Sequence, residues 1–187
     1  MFKKAFTRTA VIAAAGALAL ATAASAGAAT VTATATVTAG TLSLSTSATP
    51  SVSATLDGTD HTPSYTLPMS VSDNTGSGTG WNVTITSTTF TTGGGSPHLL
   101  STTASQATGG SFSCATGTCT NPTNNVTYPF TVPAGSTAPT AVKIFNAAAN
   151  SGMGAFTVTP TVQVAIPADT YAGTYTSTVT VAVVSGP

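Results

Sequence analysis

The sequence predicts an all-β protein: an antiparallel Greek-key β-sandwich of immunoglobulin-like type, with about eight or nine strands following a cleaved signal peptide. Three observations predict it. Apolar and β-branched residues recur with a period of two along most of the chain, clusters of Gly, Pro, Asn and Asp separate these stretches, and no helical periodicity follows the first residues.

The N-terminus is set aside first. Lys3, Lys4 and Arg8 precede an apolar stretch from Ala10 to Ala24, and Ala24-Ser25-Ala26 supplies a small-x-small cleavage pattern, the three parts of a secretory signal peptide. The stretch is shorter than the roughly 20 residues a spanning helix needs, so no membrane span is expected in the mature chain. Cleavage after Ala26 leaves residues 27–187, enough for a single β-sandwich domain.

The strands follow in order. In "ATVTATATVTAG", Val31, Ala33, Ala35 and Val37 alternate with threonine and predict a strand with a slim apolar face; "TLSLS" and "SVSATL" predict two more, with Leu42 and Leu44, then Val52, Ala54 and Leu56, on one side. Asp57-Gly58 reads as a turn. "YTLPMSV" turns Tyr65, Leu67, Met69 and Val71 inward, with Pro68 at an edge or bulge because it cannot donate to a ladder. "WNVTITSTTF" aligns Trp81, Val83 and Ile85. From residue 91 to 125 the pattern lapses into Gly, Ser, Thr and Pro, and a long loop is expected there, shortened by brief strands around Leu99-Leu100 and Phe112. Alternation returns at "VTYPFTV", continues in "AVKIF", and is clearest in "FTVTPTVQVAI", where Phe156, Val158, Val162, Val164 and Ile166 share a face. The tail "YAGTYTSTVTVAVVSGP" commits Tyr175, Val179, Val181 and Val183 to one face and should pair with the preceding strand through the turn "PADTYAG".

Charge excludes whole classes of function. With the signal peptide gone, Lys143 is the one basic residue against Asp57, Asp60, Asp73 and Asp169, a net of −3, and there is no Glu in the chain. Phosphate contacts need several Lys or Arg side chains, so no nucleic-acid partner is expected. Hydroxyls of Ser and Thr take the outward positions that charges fill elsewhere. Cys114 and Cys119 enclose "ATGT", and two cysteines this close in an exported protein are read as a disulfide that stiffens the long loop.

Groups able to do chemistry are few. His61 and His98 lie in loops, no serine sits in a Gly-x-Ser-x-Gly elbow, and the carboxylates are scattered. No catalytic residue, cofactor or metal ligand is assigned, and the protein is not expected to be an enzyme. The cluster "DGTDH" at 57–61, near Asp73 and Asn74, is where a calcium site could begin, but an Asp-capped turn is the simpler outcome. Asn82-Val83-Thr84 and Asn125-Val126-Thr127 match the glycosylation sequon without altering this picture. Trp81, the lone tryptophan, shares a face with Val83 and Ile85, which fits a core residue; a contact residue at an exposed sheet end is the alternative.

"GSGTGWNVTITSTTF" (76–90) and "PADTYAGTYTSTVTVAVVSGP" (167–187) resemble the WxL domain of Gram-positive cell-surface proteins. The resemblance implies an exported, adhesin-like surface module, secreted and extracellular or wall-associated, that attaches noncovalently to peptidoglycan. Carried onto this chain, it makes Trp81 and Val83 the candidate wall-binding residues. The chain departs from the family pattern by placing Val at the Leu position of the first motif and Val181-Ala182-Val183 at the second. The closing segment is also similar to coat protein U-type and pilin-like sandwiches, which implies a second expectation. Residues 29–38 would then be a donor strand in a self-assembling fibre or coat, with other cell-surface proteins or further copies as partners.

Overall fold

The computed structural model describes residue 27 and residues 29–187, and the expected signal peptide lies outside the described residues. Ten strands are formed, and no helix is long and apolar enough to cross a membrane among the described residues. The strands are β1 (Leu42–Ser45), β2 (Ser64–Thr66), β3 (Met69–Asp73), β4 (Trp81–Thr88), β5 (Ser105–Thr116), β6 (Phe130–Thr131), β7 (Ala134–Gly135), β8 (Val142–Ala147), β9 (Gly154–Val164) and β10 (Val179–Ser185).

They form two sheets packed as a sandwich. The larger runs β1-β3-β9-β5-β6, with β2 also on β9; the smaller runs β10-β4-β7, with β8 also on β4. All pairings are antiparallel except β4 with β7. Strand β9 is the axis of the larger sheet. Its Phe156, Val158, Val162 and Val164 are buried, and Thr157, Thr159, Thr161 and Gln163 face outward, as its alternation predicts. Facing it, β4 buries Trp81, Val83 and Ile85, and β8 adds Ile144 and Phe145. Each such fully buried side chain contributes about 1.5–3 kcal/mol relative to exposure.

Five sequence expectations are corrected. Residues 29–38 form no strand. Alternation gives a segment the propensity for a strand, but only ladder hydrogen bonds to a neighbour hold one. "SVSATL" likewise runs as irregular chain. "YTLPMSV" is two strands, because the chain breaks at Leu67-Pro68; there Leu67 N–H donates to the Pro160 carbonyl at 3.0 Å. The final strand does not pair with β9 but with β4, in the other sheet, in a register that sets Val183 opposite Val83 and Val181 opposite Ile85.

The fifth correction is the largest. The expected loop at 91–125 contains β5, the longest strand, which pairs with β9 from Ser105↔Val164 to Thr116↔Ala155. Its inward residues are Ala107, then Gly110, Phe112 and Cys114, because a bulge between Ala107 and Gly109 shifts the alternation by one. Gly110 is required by close packing: a Cβ there would stand 3.0 Å from the Phe145 ring. Cys114 and Cys119 form the expected disulfide, which joins the end of β5 to the segment just beyond it.

Candidate functional site

The two ends of β4 lead to different surroundings. At its start, Trp81 has 0% exposure, stacks on Phe145 at 6.1 Å between ring centroids, and lies 6.4 Å from Phe156. Its indole Nε1 donates to the Gly152 carbonyl at 2.8 Å, which satisfies the one polar group the ring carries into the core. Gly152 has φ of 72°, and a Cβ on it would stand 2.7 Å from that nitrogen. Gly152 N–H in turn donates to Thr120 O at 2.8 Å, so the disulfide-bonded segment backs the loop that receives the indole.

The C-terminal residues close the same end. Asn82 Nδ2 donates to Gly186 O at 2.8 Å, and Gly186 N–H to Gly80 O at 2.9 Å. Val83, also at 0% exposure, lies between β8 and β10. The structure therefore places both sequence-predicted binding residues in the core. A side chain without accessible surface touches a polymer only if the sandwich opens.

The other candidate residues are accounted for by local hydrogen bonds. Asp57 Oδ1 accepts from Thr59 Oγ1 at 2.7 Å, Thr59 N–H at 3.0 Å and His61 Nε2 at 3.1 Å; the Thr59 bonds first, and His61 after them, hold its carboxyl below the usual value. Asp60 Oδ1 instead accepts from Ala168 N–H at 2.9 Å. This is an Asp-capped turn. Asp73 is buried and caps its own turn through Thr75 N–H and Oγ1 at 3.0 and 2.7 Å. Among the described residues no three His, Cys, Asp or Glu side chains come together to hold a metal ion. Of the two sequons, Asn82 is buried and Asn125 is exposed.

Beyond the far end of β4 the sheets stand apart. A groove of about 840 Å³ opens between β2 and the end of β9 on one side and β10 with the segment leading into it on the other. Tyr65, Phe90, Leu100, Val164, Tyr175 and Val181 give it an apolar, aromatic lining, and residues 46–56 run along it as irregular chain. Threonine and serine hydroxyls border the rings, and no Asp, Glu, Lys, Arg or His lines it. Burial pushes the Tyr65 hydroxyl above its ordinary pKa of 10.0, so it stays a neutral hydrogen-bonding group.

An uncharged, aromatic-lined trough with hydroxyl borders suits a neutral ligand that combines apolar faces with hydroxyls. The sequence assigned Tyr65 and Tyr175 to the core and gave Phe90 no role; a signal was present in the tyrosines of "DTYAGTY", which sit in a loop, where an aromatic is often on the surface for a reason.

A family model described as WxL domain surface cell wall-binding matches residues 13–187. No curated protein and no solved structure matches the chain.

Proposed function

Because the chain belongs to the WxL family of surface cell wall-binding domains, we propose that it is an exported, non-catalytic module that attaches noncovalently to peptidoglycan through the groove between its sheets. The observation that carries this is the groove's lining. It joins aromatic rings to hydroxyls and holds no charged side chain. Non-catalytic attachment agrees with the scattered carboxylates and self-capped aspartates. Sedimentation with purified peptidoglycan tests the proposal: the protein should pellet, and Phe90→Ala together with Tyr175→Ala should leave it in the supernatant.

A second reading rests on a different observation. Residues 29–38 carry the alternation of a strand yet form none, while β10 is an edge strand of the smaller sheet. Such a segment could add to the open edge of another copy, as main-chain pairing requires. Deleting residues 29–39 should then turn an assembling protein into a monomer; a monomer of unchanged behaviour before and after would remove this reading.

A further inference from the structure

Beside the groove lies a smaller notch of about 240 Å³, lined by His98, Ser101, Pro167, Asp169, Tyr171 and Tyr175 among others. The groove and the notch share Leu100, Thr170, Tyr171 and Tyr175, so a ligand can pass from one to the other without leaving the surface. Tyr171 forms the ridge between them. Its ring stacks on His98 with centroids 3.8 Å apart and planes 12° apart, and the side chain is still 65% exposed. One face of the ring is covered by imidazole and the other is open.

This ring is held in place before any ligand arrives. Tyr175 Oη donates to the Tyr171 carbonyl at 2.9 Å, and Thr170 N–H closes a turn on Pro167 O at 3.0 Å. His98 is fixed by its own hairpin, where its N–H donates to Thr92 Oγ1 and its carbonyl accepts from Thr92 N–H, both at 3.0 Å. A large aromatic kept in one orientation at the surface loses little entropy on binding. At 65% exposure, against 37% for Phe112, it is presented more fully than the other Phe and Tyr rings among the described residues, which suits it to contact.

The geometry points to Tyr171 as a stacking platform for one pyranose ring of the peptidoglycan glycan strand, with His98 backing the phenol ring from its other face and Asp169 and Ser101 beside it to meet that sugar's hydroxyls. This rests on the wall-attachment reading above and assigns the glycan, not the peptide or an anionic polymer, as the part recognised. The apolar C–H face of a pyranose covers an aromatic ring, and its equatorial hydroxyls then lie in the plane of hydrogen-bonding groups around the rim. The notch offers such groups, and the groove beyond supplies Phe90 and Tyr65 for the next residues of the chain.

Charge separates this ligand from its competitors. Stem peptides bring carboxylates and an ammonium group, and polyphosphates of the wall bring an anion at each repeat. Each would need a counter-charge to leave water. The groove has no charged side chain, and the notch holds the Asp169 carboxylate, which repels anions, and no Lys or Arg to receive them; Lys143, on β8, lines neither cavity and donates to Pro187 O at 2.7 Å.

Titration calorimetry of the exported protein with a β-1,4-linked N-acetylglucosamine tetrasaccharide and with a synthetic stem pentapeptide tests the assignment, alongside pelleting with purified peptidoglycan. Wild type should bind the tetrasaccharide and not the pentapeptide. Tyr171→Ala should weaken tetrasaccharide binding by about tenfold, and Tyr171→Phe, which keeps the ring, by no more than about twofold. Both variants should melt with wild type because the side chain is exposed. Equal binding by wild type and Tyr171→Ala, or preference for the pentapeptide, overturns the platform. If wild type pellets with peptidoglycan and Tyr171→Ala pellets equally, wall attachment stands and the platform falls; if wild type fails to pellet, wall attachment itself falls.

Discussion

At its first residue β4 carries an indole with no exposed surface, hydrogen-bonded to Gly152, stacked on Phe145 and tilted against Phe156; just past its last residue, Phe90 borders a trough that runs out to the exposed ring of Tyr171. One strand thus joins a closed end to an open one. The closed end holds the lone tryptophan, Trp81, and uses glycines and main-chain carbonyls to fit it. The open end holds common residues, tyrosine and threonine, in an arrangement that leaves room. The difference teaches that the residue most visible in a motif can be the one that fixes a fold, while the surface proposed to meet a ligand is built from residues without a signature.

Attacking the closed end should give the largest effect. Trp81→Ala removes the biggest buried side chain and orphans the Gly152 carbonyl, so chemical denaturation should show a loss of about 3–5 kcal/mol. Gly152→Ala comes next. The new methyl would meet the Trp81 indole nitrogen at 2.7 Å, on a backbone at φ 72°, and a loss of about 1–3 kcal/mol is expected in the same measurement.

The open end should respond in binding and scarcely in stability. Val181 lines the groove, and the resemblance drawn from the sequence sets it at the Trp position of the second motif. Val181→Trp should fill the groove and release the protein from peptidoglycan in a pelleting assay, with stability changed by less than about 1 kcal/mol. Stronger retention would show that an aromatic at position 181 grips the wall directly and would overturn the division between a closed, structural end and an open, binding one.

The smallest effect is alkaline. Burial first raises the pKa of Tyr65 and of Tyr128 above 10.0, with Asn124 pulling Tyr128 back in part. The folded state therefore holds these protons more tightly than the unfolded state. Their contribution is complete below pH 10 and is lost as pH climbs through the raised values, so melts should weaken above pH 10 and not below it. Tyr65→Phe should flatten part of that decline.

Much of this architecture was legible in the residues. The alternation of β4, β9 and β10 named their inward faces, and Tyr175, Val179, Val181 and Val183 do share the inner side. Strand β5 was not legible, because a bulge shifts its period and its inward positions include Ala107 and Gly110, too small to register as a core. Residues 29–38 erred the other way: the period was perfect and no strand formed.

The sequence by itself determined that the chain is all-β, nearly uncharged, closed by a disulfide between Cys114 and Cys119, and possessed of one tryptophan on an apolar face. These follow from period, charge and spacing, which are local properties. Only the tertiary structure decided that β9 and β10 part into different sheets, that Val83 meets Val183 across β4 and β10, and that Trp81 is sealed while Tyr171 is presented. Which strand pairs with which depends on contacts between residues far apart in the chain, and the space left between two sheets belongs to neither strand alone.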